Sequence, residues 1–323
     1  MARVARIERN GGPEVIEWVD VHLPPPGAGE VRVRTTAVGL NFIDTYHRSG
    51  LYKLKLPSGL GIEAAGVVEA LGEGVSGFVP GDRVASFSGI GAYATERNLP
   101  AASLVKLPDG VSDEIAAAVM LKGCTAEFLI ERCAKVQPDW TVLVHAAAGG
   151  VGQIAVRWLK AIGATVIGTV GHSDKVTVAQ AAGADHVLLS REEDIAVRVR
   201  EITGGGGVPV VLDGVGKATW EASLAACARR GLIVSYGNAS GPVTDVGLAT
   251  LNDHGSLFVT RPKLNDYYVT PEERATGTGR LFDMLESGAV TVDIGQRFAL
   301  EDVAEAHRAL EAGKTTGSTI LVP

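Results

Sequence analysis

From Thr141 onward, apolar strand-like runs alternate with helix-like segments, and this rhythm constrains the fold more than any other feature of the chain. The strand-like runs fall at 141–145, 165–170, 186–189, 208–212 and 232–236, and the helix-like ones at 154–162, 175–182, 194–202 and 220–228. Strands without a polar face must be covered on both sides, so the pattern predicts an α/β fold with a doubly wound parallel sheet. A sixth strand is expected at 256–260.

The residues before about 122 follow another pattern. Short β-like runs at 4–8, 31–38, 65–71 and 83–86 are broken by Gly11-Gly12-Pro13, Pro24-Pro25-Pro26-Gly27 and Pro80-Gly81-Asp82, which predicts an irregular, barrel-like β domain. After about 262 the chain turns polar and helical, then ends in a strand-like run at 318–322 expected to return to the first domain. At 323 residues the chain exceeds what one core usually serves, so two compact units are expected, with ligands bound between them. Their expected extents are 1–122 with 263–323, and 123–262.

Bulk composition narrows the function classes. A formal charge of -7 provides no broad positive field, which makes nucleic acid a poor partner. Three cysteines, Cys124, Cys133 and Cys227, are too few and too scattered for a disulfide framework and fit a reducing compartment. Residues 1–10 have no apolar signal core, and no apolar run approaches the roughly 20 residues of a spanning helix. A cytoplasmic protein without membrane contact is expected.

The sharpest local signal is Val142-Leu143-Val144-His145-Ala146-Ala147-Ala148-Gly149-Gly150-Val151-Gly152, a strand entering a small-residue turn that opens a helix. Bare backbone there can approach a pyrophosphate, while the helix N-terminus offers free N–H groups and its positive dipole end. Ala147 stands where the first glycine of G-x-G-x-x-G usually sits, and tight strand-helix packing is the alternative use of such residues. About 20 residues further on, where NAD-binding chains commonly carry an acid, stands Gly171, followed by His172-Ser173-Asp174-Lys175. Gly171 without a carboxylate, the Ser173 hydroxyl and the Lys175 ammonium suit a 2′-phosphate, hence NADPH over NADH. Asp174 either turns toward ribose or caps the following helix, and Lys175 is otherwise a solvated first-turn lysine.

Further runs carry a resemblance. Gly61-Ile62-Glu63-Ala64-Ala65-Gly66, Gly72, Val75 and Gly81-Asp82-Arg83-Val84 resemble the medium-chain dehydrogenase/reductase pattern. With Gly39-Leu40-Asn41-Phe42-Ile43-Asp44-Thr45-Tyr46, Arg48-Ser49-Gly50-Leu51-Tyr52, the 146–152 turn and Thr260-Arg261-Pro262, the whole chain is similar to the quinone oxidoreductase (zeta-crystallin) branch. The resemblance implies a GroES-like catalytic domain built from both chain ends around a Rossmann domain, and homodimers joined through the last Rossmann strand. It implies catalytic positions at Asn41, Asp44, Tyr46 and Tyr52. Cofactor contacts are implied at Asn41, Thr125, Gly149, Gly150, Val151, Gly152, Gly171, Ser173, Lys175, Ser190, Val215, Gly237, Asn238, Phe258, Thr260 and Lys314.

Departures from the zinc-dependent relatives matter chemically. Those enzymes carry cysteine at the position of Asn41 and histidine at that of Ile62, and neither residue here is a credible zinc ligand. Without a Lewis acid, alcohol oxidation is disfavoured, so the acceptor is expected to be an electrophilic quinone or conjugated carbonyl compound. An amide or phenol donor can hydrogen-bond its oxygen as charge develops, and tyrosine can stack on a flat ring. The plainer alternatives are N-capping for Asn41 and Asp44, and packing for Tyr46 and Tyr52. Glu63 is expected in an internal ion pair or hydrogen bond. Two phosphate contacts frequent in the branch, a tyrosine and an arginine, are replaced here by Ser190 and Gly313, leaving Lys314 as a substitute. An enoyl-thioester reductase and a dinucleotide-sensing or RNA-binding protein with little turnover are the competing readings. The first lacks a clear basic cluster for a carrier phosphate, and the acidic balance opposes the second.

Overall fold

The computed structural model describes residues 1–87 and 89–323. They form two compact units, 1–122 with 292–323, and 123–291.

In the second unit, six parallel strands form one sheet: β1 (Thr141–Val144), β2 (Thr165–Val170), β3 (His186–Leu189), β4 (Val208–Asp213), β5 (Cys227–Ser235) and β6 (Phe258–Thr260). Their spatial order is β3-β2-β1-β4-β5-β6. The order reverses between β1 and β4, the switch point at whose carboxyl side such sheets bind ligands. Leu143, Ile167, Val211 and Ile233 are fully buried and pack with Val199, Leu224 and Trp220 of the covering helices. Burial on both faces is why these strands read as unbroken apolar runs.

In the first unit, a seven-stranded sheet has Glu30–Leu40 as its central member, paired antiparallel with Glu63–Leu71, Glu96–Pro100 and the C-terminal Ser318–Val322. Thr319, Ile320 and Leu321 lie opposite Leu40, Gly39 and Val38, so both chain ends share one sheet, as the sequence predicts. Several elements were not predicted, among them Glu96–Pro100, Ile294–Ala299, which pairs in parallel with Ser318–Val322, and the helix Asp113–Glu127, which carries the fully buried run from Ala116 to Met120.

The expected division at 262 is corrected: residues 263–291 belong to the second unit. The Tyr268 hydroxyl donates to Glu127 Oε2 at 2.6 Å, Arg280 Nε to Glu131 Oε1 at 3.0 Å, and Arg132 to the Tyr267 carbonyl. These contacts tie the helix Pro271–Glu286 and its approach to the second unit. Among the described residues no helix is long and apolar enough to cross a membrane.

Candidate functional site

At the carboxyl end of β1 the backbone turns through Ala146, which adopts a left-handed φ of 54°, and enters the helix Gly150–Ala161. The turn is held from both neighbours: His145 N donates to the Leu212 carbonyl at 3.0 Å and Ala147 N to that of Thr169 at 2.9 Å. A Cβ on Gly152 would lie 2.2 Å from the Ala146 carbonyl oxygen, so only glycine permits this approach of helix to turn. A Cβ on Gly168 of β2 would lie 2.8 Å from the Ala147 methyl. The bare Gly168 therefore makes room for the alanine that replaces the usual first glycine. Gly149 caps the helix without a side-chain bond, leaving the amides of Gly150, Val151 and Gly152 without partners four residues back. This cradle fits a dinucleotide pyrophosphate.

Buried side chains brace the same crest. Asp213 accepts from the amides of Val215 and Gly216 at 2.9 Å each, and from the hydroxyls of Thr219 and Ser223 at 2.8 Å each. His145 Nε2 lies 3.1 Å from Ser223 Oγ and Nδ1 3.0 Å from Thr169 Oγ1. Burial holds its pKa below the usual imidazole value. Asp213 thus fixes the loop bearing Val215, and Gly237, whose Cβ would meet the Gly214 carbonyl at 2.2 Å, holds the half-buried Asn238 close by. Asp213 carries no motif that would have marked it in the sequence, and His145 stands within the 142–152 run without a role read for it.

Gly171 ends β2, followed by exposed Ser173 and Asp174 and half-buried Lys175. Asp174 does not cap the helix Val176–Ala181; the N-cap position is Lys175, the last residue of a short turn at Ser173–Lys175. Ser190 donates its hydroxyl to the Val170 carbonyl at 3.2 Å. Thr125 is half-buried on the helix Asp113–Glu127. Thr260 closes β6, whereas Phe258 begins it at the sheet edge with 62% of its surface open, away from the phosphate turn. Lys314, exposed after the helix Val303–Glu311, belongs to the first unit.

In that unit the helix Phe42–Ser49 carries Asp44 and Tyr46, with Asn41 just before it and Tyr52 three residues after it. Asn41 precedes it in extended conformation and forms a capping box with Asp44, the capping alternative weighed for this pair: Asp44 Oδ2 accepts the Asn41 backbone N–H at 2.9 Å, and the Asn41 side chain accepts the Asp44 backbone N–H. The Asn41 side-chain Nδ2 donates to Glu63 Oε2 at 2.9 Å and to the Gly39 carbonyl at 3.3 Å. Both amide protons thereby face acceptors of the chain itself, so the expected amide donor to the acceptor oxygen is corrected: Asn41 holds the helix start and Glu63. Glu63, fully buried, also accepts from Leu121 N at 2.6 Å and Lys122 Nζ at 3.3 Å, the internal ion pair its position suggested. Tyr46 is buried, its ring 5.3 Å from that of Tyr52 in an edge-on arrangement and 6.3 Å from that of Phe42.

Behind the helix runs a buried chain that no sequence signal marked. Arg48 donates to His307 Nδ1 at 2.8 Å and to Glu311 at 2.6 Å; His307 Nε2 lies 3.0 Å from Tyr93 Oη, which donates to Asp44 Oδ2 at 2.7 Å. Because arginine only donates, Nδ1 accepts and Nε2 carries the hydrogen. Burial and the Arg48 charge push the His307 pKa down to about 3, consistent with that neutral ring. Burial raises Asp44 to about 7 against the bonds from Tyr93 and Asn41, and its Oδ1 is buried without a partner.

The donor set does not fit zinc. Asn41 presents an amide tied to Glu63, Ile62 is apolar, and among the described residues no cluster of three or more His, Cys, Asp or Glu side chains is placed to hold a metal.

A parallel sheet with a phosphate cradle at its switch point, in a chain whose β-rich unit bears a tyrosine pair, defines a nicotinamide-dinucleotide oxidoreductase of the GroES-like and Rossmann type. Family models agree: residues 27–109 match an alcohol dehydrogenase GroES-like domain and 150–268 a zinc-binding dehydrogenase. The chain is 51% identical to a quinone oxidoreductase of Pseudomonas aeruginosa, with all of both chains covered. The crystal structure of the Pseudomonas syringae pv. Tomato quinone oxidoreductase superposes with a TM-score of 0.98 at 51% identity, covering all of both chains. That of the Escherichia coli quinone oxidoreductase complexed with NADPH gives 0.97 at 47%, covering 99% of this chain and all of that one. The chain belongs to the quinone oxidoreductase branch of the medium-chain dehydrogenase/reductase superfamily.

Proposed function

We propose that this protein uses NADPH to reduce quinones or related conjugated carbonyl compounds without zinc. The observation that carries the reading is the presence in one chain of a dinucleotide cradle at Ala146 to Gly152 and a helix whose expected metal position holds Asn41, locked to Glu63. The dinucleotide, when bound, supplies the hydride. The amides of Gly150, Val151 and Gly152 hold its pyrophosphate, and Val215 and Asn238 line its path over the crest. Orientation of the acceptor falls to Tyr46 and Tyr52, whose rings offer a flat surface and whose phenols can donate to an oxygen gaining negative charge.

Tyr46→Ala tests that assignment. Loss of one stacking surface and one hydrogen bond is expected to raise the apparent KM for a benzoquinone about tenfold, with NADPH affinity changed less than about threefold. An unaltered acceptor profile would return Tyr46 to simple packing.

The exposed edge of β6, with Phe258 62% and Val259 37% open, favours pairing with the same strand of a second copy, since an unpaired apolar edge invites aggregation. Light scattering at twice the chain mass would support this homodimer, and a monomer would exclude it. A cytoplasmic location fits the three scattered cysteines, none of which is in a disulfide.

A further inference from the structure

We infer that Arg191 is the principal 2′-phosphate-binding side chain of this enzyme, serving in place of the tyrosine and arginine for which Ser190 and Gly313 stand here. The site so assigned presupposes the NADPH reading given above. At the end of β2, a Cβ on Gly171 would lie 3.6 Å from Arg191 Nε, so the side chain folds over the place where NAD-binding chains carry their ribose acid. Gly171 has no side chain to fill the gap, and the exposed Ser173 hydroxyl stands two residues on.

The neighbours of Arg191 are occupied otherwise. Ser190 gives its hydroxyl to the Val170 carbonyl. Glu193 accepts the Leu189 amide at 2.7 Å and pairs with Arg198 at 3.1 Å, and Asp194 caps the helix Ile195–Ile202 through the Val197 amide at 3.1 Å. Two of the three acids in Arg191-Glu192-Glu193-Asp194 are thus spent on their own strand and helix. Arg191 itself is exposed, and among the described residues no carboxylate lies within ion-pair distance of it. A guanidinium fork can hold a phosphate through two parallel N–H bonds, which an ammonium such as that of Lys175 cannot match.

Calorimetric titration of NADPH and NADH against wild type, Arg191→Ala, Arg191→Lys and Lys175→Ala separates the possibilities. Arg191→Ala is expected to weaken NADPH at least about tenfold and NADH less than about threefold. Arg191→Lys should recover only part of that affinity, and Lys175→Ala should cost less than Arg191→Ala. A wild type that binds both coenzymes equally overturns the NADPH reading itself. A wild type that prefers NADPH with its preference intact in Arg191→Ala leaves that reading standing and overturns the assignment of Arg191. Equal weakening of both coenzymes likewise overturns it, because Arg191 would then act through the fold.

Discussion

Gly152→Ala is expected to weaken NADPH binding about a hundredfold. The added methyl would stand 2.2 Å from the Ala146 carbonyl oxygen and 2.9 Å from Ala147 Cα, both backbone atoms that no rotamer change can move aside. Relief requires the helix Gly150–Ala161 to shift away from the turn, and its first-turn amides move with it. Hydrogen bonds to a charged group contribute roughly 1.5 to 3 kcal/mol each, so misaligning two of them accounts for an effect of that order. The change should fall on NADPH and NADH alike, unlike that of Arg191→Ala. Fluorescence titration checks it, and an affinity within about threefold of wild type would mean that the cradle does not grip the pyrophosphate.

Asp44→Asn is expected to become progressively more stable relative to wild type as pH rises. Burial raises the Asp44 carboxyl from 3.8 to about 7 in the folded protein. The folded state therefore binds this proton more tightly than the unfolded chain does. The stability linked to it is fully present below the unfolded value and is lost as pH climbs through the folded one. Asparagine does not ionise and still offers one oxygen to the Tyr93 hydroxyl or the Asn41 amide. Between about pH 5 and about pH 8 the difference in unfolding free energy should move by roughly 2 kcal/mol in favour of the variant. Chemical denaturation at several pH values reads it, and a difference that stays flat or moves the opposite way would place the charge of Asp44 in a more polar setting than its burial implies.

The parallel sheet was legible because burial on both faces leaves an unbroken apolar signature: β2 and β3 coincide with the runs expected at 165–170 and 186–189. The helix Asp113–Glu127 escaped for a related reason. It is apolar on most sides, so it carries no amphipathic stripe to read. Ile294–Ala299 escaped because one of its three inward positions is the polar Gln296, between Ile294 and Phe298, which leaves only a faint apolar alternation. At the site, Asn41, Glu63 and the 146–152 turn were legible as local motifs. Tyr93 and His307 were not, since they meet Asp44 only through contacts spanning 49 and 214 positions of chain. Arg191 was given no role because no local motif marks it; beside it Asp194 caps the helix Ile195–Ile202, while Glu193 accepts the Leu189 amide of β3.

The most direct test of the account is turnover of NADPH with a benzoquinone after exhaustive chelation, with the metal content of the same sample measured. Quinone reduction at an undiminished rate by metal-free protein, with no oxidation of simple alcohols by NADP⁺, is the predicted result. Activity that disappears on chelation and returns with stoichiometric zinc would contradict it.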